Sequence, residues 1–527
     1  MSTVSADRLL TFLANPGSYP YDTPYVDIIQ THISYVAIAP PFVYKVKKPV
    51  SLGFLDFSTL DKRKHFCEEE LRLNRRLCGH VYDGVIPIFD DSGTLSFDPG
   101  GRVVEYAVKM HQLPEDGFMH RLVQSGQLDA SHVDLLIDRL VSFYLSQSPS
   151  EAVSSWGDVE RIRMSTDENF AQTNVHVGRL LTSPAYETIR WYTNRFLERN
   201  RSLFDRRKSE GRIVDGHGDL HLEHVHLQGD RLCIYDCIEF SERLRCIDVA
   251  NDVAFLAMDL DYWERPDLSR YFAHRMRDGM QDPELLRLLP FYKCYRSYVR
   301  GKVEGMRTAE PEVPESDRED SRQRAVRYYQ LSLDYAMSGN EPMVLVVMGR
   351  VGVGKTTIAH RLADALGWPV VSSDVVRKTL ARVPLHTRGD AASRQRLYAP
   401  EMTARTYEEL LRSAVDRAQS HHSTILDATY GQSELRRALA DTMREARIDC
   451  RFLEITSSDR TIRARLQSRD DLAAVTSDAR LEDFGALLAR YETPEVSEGI
   501  PLVSVRSEGD ADKTTLEALK GLVLLNE

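Results

Sequence analysis

The chain carries the segment GRVGVGKTT at residues 349–357, directly after the apolar run MVLVVM at residues 343–348. The segment satisfies the spacing GxxxxGK(S/T) and lies between a predicted strand and a predicted helix, which is the setting that supports this motif. Its glycines let backbone N–H groups turn toward phosphate oxygens, and the helix N-terminus adds partial positive charge. The sequence therefore predicts a nucleotide phosphate site, whose residues are Gly349, Arg350, Val351, Gly352, Val353, Gly354, Lys355, Thr356 and Thr357.

Four residues of this region have predicted roles toward a nucleotide or its acceptor. Lys355 would reach the β- and γ-phosphates of ATP, and the Thr356 hydroxyl would hold Mg²⁺. Asp374 and Asp427 lie at the ends of the strand-like runs PVVSSD and STILDAT. A carboxylate at such a strand end can hold Mg²⁺, the role we expect for Asp427, or accept a proton from a substrate hydroxyl.

A third strand-like run, CRFLEIT at residues 450–456, and the helical patterns between these runs predict a parallel sheet flanked by helices over residues 341–527. Beyond it, Arg465 and Arg469 are four residues apart and share one face of a predicted helix. Such a face can close over phosphates and neutralise charge during transfer, or it can be a solvated helix surface.

Together these motifs resemble the small P-loop kinases, the group of gluconate kinase, zeta-toxin and polynucleotide 5′-kinase. The resemblance covers residues 341–527. It implies that Asp374 is the base that takes the proton of the acceptor hydroxyl and that Arg377 contacts the substrate. It also implies that Arg465 and Arg469 are lid arginines.

A second motif is VDGHGDLHLEHVHL at residues 214–227, followed by LCIYDCIEF at residues 232–240. It resembles the catalytic core of the aminoglycoside phosphotransferase family, whose pattern is HGDxxxxN and then a strand that ends in Asp. The resemblance implies a protein-kinase-like fold over about residues 25–307. In it, Asp219 accepts the proton of an acceptor hydroxyl and Asp236 bridges Mg²⁺ to the nucleotide phosphates.

The chain departs from this pattern at His224, where the family has its metal-binding Asn. Three interpretations stay open. His224 could replace Asn as a metal ligand, the site could prefer a softer ion such as Mn²⁺, or this lobe could be weakened as a catalyst.

The same resemblance assigns residues of the small lobe. In FVYKVKK, Lys45 and Lys47 point to the same side of a strand, and we favour Lys45 as the phosphate-contacting lysine. Glu70 would pair with this lysine, with Glu69 as the alternative. The strand VEYAVKM would bind adenine through its backbone.

Two further groups near the HGD motif have weaker predicted roles. Asp248 and Asp252 resemble family aspartates that support the catalytic loop without doing chemistry. A cluster of four histidines could suggest a transition-metal site, but its uneven spacing and the lack of a cysteine argue against a dedicated zinc site. These histidines are His217, His221, His224 and His226.

Composition limits the functional class. The chain has 527 residues, a hydrophobic fraction of 42% and a charged fraction of 28%, which is typical of globular proteins and excludes collagen-like, disordered and membrane-embedded classes. Its 68 basic and 79 acidic residues give a net charge of −11, which argues against nucleic acid as a partner.

The N-terminal segment does not resemble a targeting peptide, and the longest apolar run is too short to span a membrane. The seven cysteines form no CxxC pair, and Cys233 and Cys237 lie in an apolar run where buried thiols are expected. These features predict a reduced, cytoplasmic protein.

The predicted architecture is a two-domain α+β and α/β protein. A bilobal protein-kinase-like domain comprises a small lobe at about residues 25–112 and a helical lobe at about residues 113–307, within a domain of residues 1–307. A linker and connecting helix follow at residues 308–340, and a P-loop kinase domain occupies residues 341–527.

The whole chain resembles a bacterial family of bifunctional fusions of these two domains. The resemblance implies an ATP-dependent phosphotransferase with two sites that uses Mg²⁺ and small-molecule hydroxyl acceptors such as sugars, amino sugars or nucleosides. Two alternatives stay open: a single active P-loop kinase regulated by a degenerate N-terminal domain, and a toxin-like or switch NTPase. A polynucleotide acceptor is a third option for the C-terminal domain, which the net charge disfavours.

Overall fold

The structure is a computed structural model that describes residues 4–53, 55–311, 313–385, 391–470 and 481–526. The strands are β1 (Asp27–Gln30), β2 (Ser34–Ala39), β3 (Phe42–Lys47), β4 (Ser51–Leu52), β5 (Leu55–Asp56), β6 (Tyr82–Asp91), β7 (Thr94–Ser96), β8 (Arg102–His111), β9 (Ile213–Asp215), β10 (Val225–Gln228), β11 (Arg231–Ile234), β12 (Cys246–Asp248), β13 (Met343–Met348), β14 (Val370–Ser372), β15 (Thr424–Asp427), β16 (Asp449–Thr456) and β17 (Leu502–Arg506).

The helices are α1 (Ala6–Ala14), α2 (Leu60–Cys78), α3 (Met119–Gln124), α4 (Ala130–Leu145), α5 (Glu151–Ser154), α6 (Val159–Thr173), α7 (Ser183–Arg199), α8 (Arg201–Ser209), α9 (Glu242–Arg245), α10 (Val249–Tyr262), α11 (Pro266–Gly279), α12 (Leu285–Arg307), α13 (Glu315–Ser338), α14 (Lys355–Leu366), α15 (Ser373–Leu380), α16 (Ala391–Leu397), α17 (Pro400–Gln419), α18 (Ser433–Glu445), α19 (Asp459–Asp470), α20 (Phe484–Ala489) and α21 (Ala511–Leu524). Among the residues that the structure describes, none of the helices combines the length and the apolar composition of a membrane-spanning segment.

The chain folds into two compact units that interleave along the sequence. Unit 1 comprises Met1–Ile162 and Asn200–Tyr292, and unit 2 comprises Arg163–Arg199 and Lys293–Glu527. The sequence pattern predicts instead one boundary after residue 307. The difference arises because α7 packs against α13, α14 and α21, all of which belong to unit 2.

Unit 1 contains a six-stranded antiparallel sheet in the order β1-β2-β3-β8-β6-β7, with α2 packed against β8 and β6. In β3, Tyr44 and Val46 are buried in the apolar core on one face of the sheet. Since successive side chains of a strand alternate between faces, Lys45 and Lys47 lie together on the other face. The strand pattern therefore places both lysines on the side where the site is built.

The helical part of unit 1 is organised around α10, every residue of which is buried except Asp261. Helix α11 packs against both α10 and α4. The hairpin of β10 and β11 pairs Val225 with Ile234 and lies between the HGD motif and Asp236. The sequence analysis expects Asp236 within the strand, but β11 ends at Ile234, and Asp236 adopts a φ of 61° in the loop that follows.

Unit 2 contains a parallel sheet in the order β14-β15-β13-β16-β17, which confirms the predicted α/β class of this region. Strand β13 has the predicted bounds of residues 343–348, and all six of its side chains are buried. A central parallel strand is covered on both faces, which explains why it is a continuous apolar run.

The segment at residues 308–340, predicted as a linker and a connecting helix, contains helix α13, which begins at Glu315. The first turn of this helix carries Glu315 and Asp317. Acidic side chains at a helix N-terminus interact favourably with the exposed N–H groups, so these two residues stabilise the start of the connecting helix.

Cys233 is not the buried free thiol that the sequence predicts. Cys233 forms a disulfide bond with Cys78, and their Cα atoms are 4.6 Å apart. Cys237 is a buried free cysteine, as expected. The pairing was not predictable from spacing because 155 residues separate the two cysteines.

Candidate functional site

The phosphate loop of unit 2 connects β13 to α14. Gly349, Gly352 and Gly354 have φ angles of 137°, 84° and 103°, which favour glycine over any residue with a side chain. A Cβ atom on Gly349 would lie 2.3 Å from the carbonyl oxygen of Ile455, so the neighbouring strand also requires glycine there. Lys355 is the first residue of α14, and its Nζ donates to the Arg350 carbonyl oxygen at 2.9 Å. The backbone of the phosphate loop thus accepts a hydrogen bond from the loop's own lysine.

Thr356 and Asp427 form the second feature of this site. The Thr356 hydroxyl donates to Oδ2 of Asp427 at 2.7 Å. Asp427 is the last residue of β15 and is 4% exposed. A hydroxyl beside a buried carboxylate offers the oxygen ligands that Mg²⁺ prefers. These residues therefore fit a Mg²⁺ ion bound with nucleotide phosphates.

Asp374 lies in the first turn of α15, and the Tyr398 hydroxyl approaches its Oδ1 to 3.5 Å. Arg377, one turn later, is buried, and its Nη1 donates to the carbonyl of Leu397 at 2.9 Å and to Thr403 at 3.1 Å. Its guanidinium also lies over the Tyr398 ring, 4.6 Å from the centroid. Arg377 therefore contacts the chain's own atoms through Nη1 and its guanidinium plane, and the substrate contact that the resemblance implies stays a prediction.

The predicted lid arginines lie on α19. The Arg465 guanidinium donates to the Val353 carbonyl of the phosphate loop and to the Ser507 carbonyl at 3.0 Å. Arg465 thus holds the phosphate loop through the carbonyl oxygen of Val353. The side chain of Arg469 lies outside the described residues. Arg350 of the loop pairs with Asp459, at the start of the same helix, at 3.2 Å.

In unit 1, Lys45 is held by two carboxylates. Its Nζ lies 2.6 Å from Oδ1 of Asp236 and 3.0 Å from Oε1 of Glu70. Glu70 is buried on α2, whereas Glu69 makes a surface pair with Arg72. The sequence left open Lys45 or Lys47 and Glu70 or Glu69. The structure places Lys45 against both Asp236 and Glu70.

Lys47 occupies a different environment. Its side chain is fully buried, and Nζ donates to Oε2 of Glu70 at 2.8 Å and also to Glu239. Both oxygens of Glu70 are therefore used, one by each lysine. Lys47 and Glu239 fix the orientation of the carboxylate that faces Lys45.

The HGD loop places Asp219 and His224 near Asp236. His224 Nδ1–H donates to the Asp219 carbonyl at 2.9 Å, which leaves Nε2 with its lone pair at 3.6 Å from Oδ2 of Asp236. A backbone acceptor that fixes the tautomer in this way is typical of metal-binding histidines. His224 therefore presents a ligand nitrogen at the position where the family pattern has Asn.

The loop itself is held by α10. Oδ2 and Oδ1 of Asp252 accept the backbone N–H groups of His217 and Gly218 at 2.8 and 2.9 Å. This contact agrees with the supporting role expected for Asp252. Asp248 instead pairs with the buried Arg207 and caps α10.

The electrostatics of this cluster follow from burial and close opposite charges. Burial alone would lower the pKa of Lys45, but Asp236, Glu70 and Glu239 raise it well above its usual value. Burial raises the pKa of Asp236, but the ammonium group of Lys45 lowers it below its usual value. Burial and the neighbouring His221 lower the pKa of His224. Asp236 is thus held ionised and His224 neutral, the forms that bind cations.

Sequence reasoning missed two residues of this site. Glu239 had no local indication because its partner Lys47 lies 192 residues away. Asp259 accepts the backbone N–H of Leu222 at 2.8 Å and so holds the loop beside Asp252. Asp259 follows Asp252 by seven residues, a spacing that places both on one helix face. The sequence therefore did indicate that Asp259 lies on the same side of α10 as Asp252.

Comparison with known proteins agrees with the fold of unit 2. Residues 344–494 match the family model described as "AAA domain". With the phosphate loop and the parallel sheet, this match agrees with a P-loop fold for this part of unit 2.

Three solved structures are similar to part of this chain. They are a gluconokinase from Sinorhizobium meliloti 1021 (19% identity, 35% of this chain, 93% of that chain, TM-score 0.25), a sugar kinase from Janibacter sp. HTCC2649 (21%, 34%, 94%, 0.26) and Chaetomium thermophilum Kti12 in complex with ADP-AlF3 (20%, 34%, 95%, 0.27).

Similarity over nearly the full length is found in mycobacteria. The chain is 31% identical over 474 residues to the uncharacterized proteins Rv2004c of Mycobacterium tuberculosis (strain ATCC 25618 / H37Rv) and Mb2027c of Mycobacterium bovis (strain ATCC BAA-935 / AF2122/97). In each case the match covers 89% of this chain and 91% of the relative. Because this identity extends over both units, the protein belongs to the same family as these mycobacterial proteins.

Proposed function

We propose that this protein is an ATP-dependent phosphotransferase that transfers the γ-phosphoryl group to a hydroxyl of a small molecule. The observation that carries the proposal is the carboxyl edge of the parallel sheet in unit 2. There β14, β15 and β13 are neighbours, with Ser372 paired to Asp427 and Asp427 to Val347. The chain therefore brings Asp374, Asp427 and the phosphate loop to one edge, where open α/β sheets bind ligands.

The residues at this edge match the needs of phosphoryl transfer. Backbone N–H groups of the loop and the N-terminus of α14 would bind the β- and γ-phosphates. Lys355 would leave the Arg350 carbonyl and neutralise charge on the transferred group. Mg²⁺, held by Thr356 and Asp427, would neutralise the remaining phosphate charge when bound.

The proposed transfer forms one bond to the γ-phosphorus and breaks another. The oxygen of the acceptor hydroxyl bonds to the γ-phosphorus as the bond from that phosphorus to the β–γ bridging oxygen breaks, and ADP leaves. The hydroxyl proton passes to a carboxylate oxygen of Asp374. Tyr398 lies beside Asp374 and would orient that carboxylate.

We further propose a second transfer site in unit 1, in line with the resemblance to the aminoglycoside phosphotransferase family. Lys45, held by Glu70, would contact the nucleotide phosphates, and Asp219 would take the acceptor proton. Asp236 and His224 fit a divalent ion, since a carboxylate oxygen and a neutral imidazole nitrogen face each other at 3.6 Å. A nitrogen ligand is better suited to Mn²⁺ than to Mg²⁺.

One observation favours a regulatory alternative for unit 1. Lys45 makes its shortest contact with Asp236 itself, so the phosphate-binding lysine and the metal-binding carboxylate neutralise each other. If nucleotide cannot separate them, unit 1 would bind a metabolite and regulate unit 2 without catalysis.

The test uses full-length protein, γ-labelled ATP and a panel of sugars, amino sugars and nucleosides. We expect labelled product, with two molecules of ATP bound per chain by calorimetry. Lys355→Ala and Lys45→Met should each remove one binding site. Product without any contribution from unit 1 would support the regulatory alternative, and the lack of ATP binding at either site would overturn the proposal.

A further inference from the structure

Three side chains of the HGD loop converge in unit 1. Asp219, His221 and His224 each place a ligand atom within 4.8 Å of the other two. Oδ2 of Asp219 lies 3.6 Å from Nε2 of His221. Nδ1–H of His224 donates to the Asp219 carbonyl oxygen, so Nε2 is the nitrogen of His224 that can bind an ion. The rings of the two histidines are 3.9 Å apart between centroids. This cluster is a compact set of one carboxylate and two imidazoles.

The local backbone explains why these histidines meet and the others do not. A 3₁₀ turn at Leu222–His224 brings residues 221 and 224 to one side, since side chains three apart align in such a turn. His217 instead donates to the Tyr235 carbonyl at 2.9 Å, and His226 to the Pro114 carbonyl at 2.9 Å. Thus two of the four histidines of the motif belong to the cluster.

The turn is fixed from outside. Asp259 accepts the Leu222 N–H, and Asp252 accepts the N–H groups of His217 and Gly218, so α10 holds the loop on both sides of Asp219. Side chains on a backbone held in this way keep their geometry before an ion arrives, which is what a metal site needs.

The cluster also has a route for an ion. The side chain of His221 is 2% exposed and that of His224 is 15% exposed, but that of Asp219 is 36% exposed. An ion can therefore approach along Asp219 and meet the two buried imidazoles. Asp236, whose Oδ2 is 3.6 Å from Nε2 of His224, supplies a further carboxylate at the edge.

We propose that Asp219, His221 and His224 bind a divalent transition-metal ion of the Zn²⁺ and Co²⁺ class. Two imidazoles and a carboxylate are ligands that such ions prefer, whereas Mg²⁺ prefers oxygen ligands alone. The ion can bind at this site whether or not unit 1 transfers a phosphoryl group. Its consequence rests on the proposed function: a bound ion occupies the carboxylate of Asp219 and so inhibits transfer by unit 1.

The experiment uses tag-free, EDTA-stripped, full-length protein without nucleotide. Co²⁺ is titrated while its visible d–d absorption is followed, and Zn²⁺ is titrated by calorimetry. Omitting reductant keeps Cys78 and Cys233 joined, so that the nearby group of these cysteines and His80 does not supply thiolates. We expect one ion per chain with intense d–d bands, and displacement of Co²⁺ by Zn²⁺.

His221→Gln and His224→Gln should each weaken Co²⁺ binding by at least about tenfold, since even outer-shell changes cost 10–100-fold. His274→Gln, at an exposed position of α11, should leave binding unchanged. Circular dichroism and melting temperature establish that the variants are folded. If His221→Gln does not fold, His224→Gln and Asp219→Asn decide the question.

Co²⁺ binding that is indifferent to the foldable cluster variants would overturn the proposal. Transfer to an acceptor is measured separately with Mg²⁺ and ATP. If the wild-type protein shows transfer but does not bind Co²⁺, the metal site alone is refuted. If it binds Co²⁺ but shows no transfer, the proposed function alone is refuted. Zn²⁺ that binds at the cluster and leaves Lys45-dependent transfer unchanged overturns the inhibitory consequence.

Discussion

Lys45 Nζ lies 2.6 Å from Oδ1 of Asp236, although 191 residues separate them in the sequence. The contact joins β3 of the antiparallel sheet to the loop that follows β11, the two elements that carry the opposite charges of the site in unit 1. Because Lys45 also contacts Glu70, its ammonium group has a second carboxylate to hold it when Asp236 turns toward a cation. In the proposed transfer by unit 1, a nucleotide and its metal ion would separate this pair.

This arrangement predicts that Lys45→Met abolishes transfer by unit 1. The test is made in a Lys355→Ala background, so that the remaining product comes from unit 1. Loss of a preorganised charge that stabilises the transferred group costs about 10²–10³-fold in rate. Lys62→Met, at an exposed position of α2, is the matched control. Equal transfer rates for Lys45→Met and Lys62→Met would show that Lys45 does not act in transfer.

In unit 2, Lys355→Ala should lower transfer and weaken ATP binding. Lys355 Nζ now contacts the Arg350 carbonyl, a neutral acceptor that a phosphate can replace. We expect a rate loss of about 10²–10³-fold in a Lys45→Met background. Lys513→Ala on the exposed face of α21 should behave as wild type. Unchanged calorimetric ATP affinity at this site would contradict the assignment.

Asp374→Asn should separate binding from chemistry. The amide has the same shape but cannot accept a proton, and general bases contribute about 10²–10⁴-fold. We expect near wild-type ATP affinity and a rate lower by that factor, measured in the Lys45→Met background. Asp441→Asn, exposed on α18, is the control. If the substitution instead abolishes ATP binding, Asp374 acts on the metal and not on the acceptor.

Local features of the site could be predicted from the sequence, and long-range ones could not. The phosphate loop is a continuous segment whose glycines are required by its own backbone, and β13 has its predicted bounds. By contrast, choosing between Lys45 and Lys47 requires knowing which of them reaches Asp236. Both satisfy the same strand alternation, and only the tertiary contacts with Glu239 and Asp236 distinguish them.

Two further differences have the same origin. The resemblance implies a substrate contact for Arg377, but in the structure its guanidinium contacts Tyr398 and the Leu397 carbonyl, in a segment about 20 residues later in the chain. Helix α7 lies within the predicted helical lobe in sequence, yet it belongs to unit 2 because its partners α13 and α21 lie far along the chain. Sequence patterns report the periodicity of an element and not the partner that buries it.

The last prediction concerns the support of the HGD loop. Arg207 is fully buried and pairs with both oxygens of Asp248, at 2.6 and 2.9 Å, and with Asp282. Asp248 is the N-cap of α10, the helix that holds the loop through Asp252. Arg207→Met would leave two buried carboxylates without their cation, which costs about 3–5 kcal/mol.

We therefore expect Arg207→Met to lower the melting temperature of the calorimetric transition of unit 1 by roughly 6–20 °C. Arg206→Met is the matched control, since the neighbouring Arg206 makes a half-exposed pair with Glu284, and such pairs contribute at most about 1 kcal/mol. Because α10 positions the loop, Arg207→Met should also weaken ATP binding by unit 1 below its melting temperature, whereas Arg206→Met should not. Equal melting temperatures for the two variants would show that the buried pairs do not stabilise this unit.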